Sequence, residues 1–134
     1  MAGEKCTRKF WKEVRKPSGQ TRTVCKEGGK RKASMYGGAT QMEINRDRTV
    51  VTNGGDIVKR YVWSTPIATY NRMRDTLILK DGGHHTRLTK GRLNQVLKPL
   101  NKKIKQKDFN WYINGKDWIT PYRISQVSKK LGRR

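Results

Sequence analysis

Between residues 40 and 80, apolar and polar side chains alternate in short runs, the period-two pattern of half-buried strands. Met42 and Ile44 alternate with polar neighbours, and Thr49, Val50, Val51 and Thr52 form a strongly β-prone run. Asn53 and Gly54 then offer the positive-φ residues of a tight hairpin turn, so residues 57–63 read as the returning strand. Residues 66–70 and 76–79 form a further strand pair around a polar loop at 71–75, and Asp81, Gly82 and Gly83 turn the chain again. Upstream, turn formers at Pro17 to Gly19, Gly28 and Gly29, and Gly37 and Gly38 leave only residues 21–24 as a candidate edge strand, whose charges oppose aggregation.

After residue 89 the period lengthens. Leu93, Val96, Leu97, Leu100 and Ile104 fall at i, i+3, i+4, i+7 and i+11, one stripe of an α-helix, with Thr89 as the expected N-cap. Pro99 either kinks this helix or opens a second short one at its own first position. The β pattern then returns at residues 109–113 and 116–119 around Asn114 and Gly115, the strongest hairpin signal in the chain. Thr120 and Pro121 are expected to cap a last helix that turns Ile124, Val127 and Leu131 inward. The order predicts an α+β fold: a small, mostly antiparallel sheet with one central basic helix and a short C-terminal helix. Residues 1–39 read as a looser basic N-terminal arm and 40–134 as a single α+β domain.

Charge changes the picture from fold to partner. Of 134 residues 32 are Lys or Arg and 10 are Asp or Glu, a formal net charge of +22 at pH 7. Self-repulsion of that size opposes a compact state unless a polyanion absorbs it, and nucleic acid rewards each cation with counterion release. Residues 1–34 carry 11 basic and 3 acidic side chains and residues 102–134 carry 10 and 2, against 4 and 3 over residues 35–66. Both ends are therefore anion-contact zones, which folding can merge into one face. No run approaches the roughly 20 apolar residues that span a bilayer, and the N-terminus lacks the apolar core of a secretory signal. Cys6 and Cys25 are the only cysteines, too few for a disulfide framework, and are expected as reduced thiols.

The candidate nucleic-acid contacts follow from these patterns. On the helix, Lys98, Lys102 and Lys105 lie opposite the apolar stripe, with Gln95 near and Asn94 and Asn101 on a flank. Ammonium groups there suit phosphates and amides suit base edges. Arg87, Lys90 and Arg92 add cations at the helix entry. The N-terminal patch offers Lys5, Arg8, Lys9, Lys12, Arg15 and Lys16, a second patch Lys30, Arg31 and Lys32, and a third Lys129, Lys130, Arg133 and Arg134. Each has a plainer reading as a solvated face or tail. Trp11, Trp63, Trp111, Tyr112 and Trp118 are candidates to stack exposed bases. Burial is the expectation for Trp63 and Trp118, and Trp11 is the one most open to exposure.

Chemistry is sparsely signalled. His84 and His85 are adjacent, so in an extended segment they face opposite ways and do not share an ion readily. Neither they nor the cysteines show metal-site spacing. A ββα nuclease needs a strand-end His, an Asn and a later metal ligand. His84 or His85 with Asn94 supplies only part of this, and carboxylates are scarce. Gly54 and Gly55, or Gly82 and Gly83, form no phosphate-loop motif. No enzyme, cofactor or metal is expected.

The run Thr65, Pro66, Ile67, Ala68, then Leu77 to Leu79, Asp81, Gly82, Gly83, His84, His85, Thr86, then Thr89, Lys90, Gly91, Arg92, Leu93 and Asn94 resembles small proteins encoded by tailed bacteriophages. Those share a T-P-I-A strand, a D-G-G turn and an H-T-x-x-T-K-x-R-L-N helix entry, often followed by a W-Y strand, here Trp111 and Tyr112. The resemblance covers roughly residues 60–115 and implies a phage origin and a compact β-β-α-β unit, without a catalytic residue to carry over. This chain differs in its greater charge and its long N-terminal arm.

Taken together, the expectation is a small, strongly basic, non-enzymatic protein of phage type that grips duplex DNA mainly through phosphates with little sequence preference, RNA being the other nucleic acid it suits. Two alternatives stand beside it. One is a virion structural or assembly protein that contacts packaged genome or an acidic protein subunit; the other is an anti-host protein that binds an RNA or ribonucleoprotein. The expected location is the host cytoplasm or the virion, with no membrane partner.

Overall fold

The computed structural model describes residues 2–16, 47–83 and 85–131. The strand pattern forms a five-stranded sheet in the order β1-β2-β3-β4-β8, antiparallel throughout. Its strands are β1 (Asp47–Thr52), β2 (Ile57–Val62), β3 (Thr65–Asn71), β4 (Thr76–Leu79) and β8 (Tyr122–Ile124). Gly54, at φ +64, carries the expected turn between β1 and β2. After β4 the chain turns at Gly82, at φ +69, where a Cβ would stand 2.7 Å from Thr65 Cγ2. Glycine is required there on both counts.

Alternation decides the two faces. Val51, Val58, Val62, Ile67, Leu77, Leu79 and Ile124 are buried, while Arg48, Val50, Lys59 and Ile78 between them are half-buried or exposed. One face thus meets the core and the other meets water, as in a one-sided antiparallel sheet. The core is closed by helices α1 (Ala2–Arg15) and α2 (Arg87–Leu97), and by a second sheet of β5 (Ile104–Lys107), β6 (Asn110–Ile113) and β7 (Lys116–Asp117). A 3-10 turn (Lys98–Leu100) and the short helix α3 (Val127–Leu131) complete the architecture, which is α+β.

Several expectations are corrected. The N-cap of α2 is Thr86, whose Oγ1 accepts from Thr89 N at 3.1 Å. Thr89 is instead a buried residue of the first helical turn, because the Thr86 hydroxyl satisfies its amide. Pro99 ends α2 by opening the 3-10 turn, the second of the two outcomes foreseen, so Ile104 leaves the helical stripe and starts β5. Residues 122–124 pair with β4 rather than entering a helix, which begins only at Val127.

The N-terminal segment is also more ordered than expected over residues 2–15. Phe10, Trp11 and Val14 of α1 are buried in the core, and Trp11 Nε1 donates to Val96 O of α2 at 3.0 Å. Arg72, from the β3–β4 loop, donates to the carbonyls of Val14 and Glu13, each at 2.9 Å. That guanidinium satisfies the open end of α1 and meets the negative pole of its dipole. Trp63 is corrected the other way: it occupies the β2–β3 turn at φ +57 and is 44% exposed. Cys6 is disulfide-bonded rather than the reduced thiol expected, while Cys25 lies outside the described residues. The strand readings at 21–24 and at Met42 and Ile44, and the boundary after residue 39, also lie outside them.

Candidate functional site

Burial of one stripe of α1 forces its other side outward. With Phe10, Trp11 and Val14 inside, Arg8, Lys12, Arg15 and Lys16 recur at i, i+4, i+7 and i+8 and are all exposed. They line a groove of about 610 Å³ against Gln95, Lys98 and Pro99 at the end of α2. Beyond Lys98 the surface opens into a cleft of about 1150 Å³ between the end of α2 and the small sheet. Lys98, Lys102, Lys103, Lys105 and Lys107 line it, with Gln95, Gln106 and Tyr112 among them.

The two depressions share Gln95 and Lys98 in their linings, so they adjoin. Among the described residues nine basic side chains border them and no Asp or Glu does. The N-terminal patch and the lysines after Leu97, remote in sequence, are therefore brought to one face. Cations clustered in concave, low-dielectric surroundings reinforce each other's field toward an approaching anion. The surface can hold a polyanion.

Not every expected contact is on this face. Arg92 donates from Nε and Nη2 to Asp47 at 2.8 and 3.3 Å and is largely buried, so it serves the interior. Lys9 pairs with Glu13 at 3.8 Å and lies outside the groove lining. Lys90 Nζ donates to Gln106 Oε1 at 3.4 Å beside the cleft, and Arg87 is exposed at the start of α2. Lys129 and Lys130 are exposed on α3, where Lys130 Nζ donates to Ser125 O at 3.1 Å. Lys30, Arg31, Lys32, Arg133 and Arg134 lie outside the described residues.

Asn94 is corrected from a candidate base reader to a structural bracket. Its Nδ2 donates to Ile104 O at 3.1 Å, and its Oδ1 accepts from Ile104 N at 2.6 Å. Both ends of the amide are occupied in fastening β5 to α2. The sequence reading missed Lys103 and Lys107, although β5 has its own signal. Lys105 and Lys107 alternate with Ile104 and Gln106, a pattern obscured when the helix is extended to residue 104.

A second polar cluster surrounds Asp81. Its Oδ2 accepts from Trp118 Nε1 and hydrogen-bonds His85 Nε2, both at 2.8 Å, and its Oδ1 accepts from Gly83 N at 2.8 Å. Burial pushes this carboxyl's pKa up, but the hydrogen bonds from Trp118, Gly83 and His85 outweigh it and hold the group below its ordinary value. His85 stacks on Trp111, with ring centroids 4.1 Å apart and an angle of 15° between planes. Trp111 and Trp118 are both buried, so neither offers a face to a base. His85 fastens the turn after β4 to the small sheet.

The class of protein can now be stated: this is a phage protein with an α+β fold. The family model described as Kyanoviridae Gp96 protein matches residues 30–128, and the chain belongs to that family. Helix α1 and its share of the basic groove precede the matched residues. No curated protein and no solved structure matches the chain. Among the described residues no helix is long and apolar enough to cross a membrane.

Proposed function

We propose that this phage protein binds nucleic acid without a chemical step, seating duplex DNA along the groove and cleft that meet at Lys98. The observation that carries the reading is a pair of adjoining depressions bordered, among the described residues, by nine cations and no carboxylate. Such a surface rewards phosphates wherever they fall along a backbone. Seven of the nine cations are lysines, point charges that discriminate little among bases, and the amide of Asn94 is turned inward. The experiment is a set of competition titrations among duplex DNA, single-stranded DNA and structured RNA at one salt concentration. Preferential capture of duplex DNA supports the reading, and tighter binding of structured RNA redirects it to an RNA target.

A further inference from the structure

Strands β5 and β6 are joined by only two residues, Asp108 and Phe109, because Lys107 pairs directly with Asn110. Both residues have positive φ, +53 and +67. That is the mark of the type I′ loop, whose twist fits the flanking strands and which is normally filled by Asn-Gly or Asp-Gly. A bulky aromatic in the second position is strained there. Phe109 is also 90% exposed, the most open of the large hydrophobic side chains among the described residues. Two costs therefore fall on one residue, and glycine would remove both.

Placement supplies a reason. Lys107, immediately before the loop, lines the lysine cleft, as do Lys105 and its cross-strand partner Tyr112. Phe109 stands two residues past Lys107, in the loop that continues this strand beyond the cleft's lining. A backbone drawn along those lysines brings its bases past an aromatic ring, and every base has a π-face to offer. We propose that Phe109 is a base-stacking residue, packing against a base exposed at an unpaired or distorted position of nucleic acid held in the cleft. The proposal rests on the nucleic-acid reading above. It adds a preferred substrate: nucleic acid with a base out of the stack, where the unstacking cost has already been met.

The test compares the full chain with Phe109→Gly, which relaxes the loop, and Phe109→Trp, which keeps an aromatic face. The probes are a continuous duplex and the same duplex with one bulged fluorescent adenine analogue whose emission reports stacking. The wild type and Phe109→Trp should favour the bulged duplex by roughly tenfold and change its emission. Phe109→Gly should lose both effects yet keep its affinity for the continuous duplex and its salt dependence. Equal preference in the wild type and Phe109→Gly overturns this inference while leaving the nucleic-acid reading intact. Failure of the wild type to bind either duplex overturns both.

Discussion

Arg92 grips Asp47 through two nitrogens, Nε at 2.8 Å from Oδ1 and Nη2 at 3.3 Å from Oδ2. Asp47 also accepts from Arg60 Nη2 at 3.1 Å, and Arg60 is fully buried. A carboxylate held between two guanidiniums ties the start of β1 to β2 and to α2. Arg60 extends the tie to α1, since its Nε donates to Thr7 Oγ1 at 3.1 Å. In so basic a chain the few carboxylates are scarce structural material. This one holds a buried cation in place.

Asp47→Ala should therefore destabilise the fold by about 3–5 kcal/mol, the usual cost of stranding a buried charge. Arg92→Ala should cost less, because Arg92 is partly exposed and Asp47 keeps Arg60. Urea unfolding of the two variants gives the comparison. Equal losses would mean that the Arg60 pairing contributes little.

Asn94→Ala should lower stability by about 1–3 kcal/mol, because the Ile104 N–H and carbonyl lose a partner together. Sequence preference on DNA should not change. A circular dichroism melt and a binding titration against duplexes of different sequence check the two halves. A changed preference would return Asn94 to the role of base reader.

Acid should weaken the fold through Asp75 and Asp81. Burial pushes the Asp75 carboxyl up, but hydrogen bonds from Ser128 and Tyr70 and the nearby Arg72 charge hold it below its ordinary value, as Asp81 is held by its own partners. For a depressed pKa, the stabilisation is complete above the unfolded value of about 3.9 and is withdrawn as pH falls through the folded one. Denaturation curves taken below about pH 4 should show this loss. Asp75→Asn and Asp81→Asn should each flatten it while lowering stability at neutral pH.

At the alkaline end the sign reverses. Tyr70 is pushed up to about 12, first by burial and then by its hydrogen bond and repulsion with Asp75. Its unfolded phenol ionises near pH 10, so stability should fall as pH rises from there. Tyr70→Phe should remove that part of the decline, read by phenolate absorbance and unfolding together.

Strands β1, β2, β6 and β7 were legible because two independent signals agreed there: a β-prone or alternating run, and a turn pair, Asn53 with Gly54 or Asn114 with Gly115. Helix α1 carried an apolar stripe through Cys6, Phe10, Trp11 and Val14, but the lysines and arginines between them read more loudly as a free arm. Residues 122–124 were illegible for another reason. Three residues are too few to show a period, and pairing with β4 alone makes them a strand. Of the candidate site, the cations of residues 8–16 and 98–105 were plain in the sequence, and that they stand beside one another follows from the packing of α1 on α2. The inward turn of Arg92 and Asn94 was not legible, because a side chain's partner is chosen by tertiary placement. Phe109 was hidden for the same reason: its exposure depends on the loop that presents it.

The most direct test of the central claim is the affinity of the full chain for a duplex measured across a range of salt concentrations. With about five to eight phosphates engaged, log K should fall against log salt with a slope of roughly −4.5 to −7. Replacing Lys98, Lys102 and Lys105 together by alanine should make that slope shallower by about 0.9 for each phosphate no longer neutralised. Binding that is indifferent to salt, or no binding after removal of residual nucleic acid, would contradict the account.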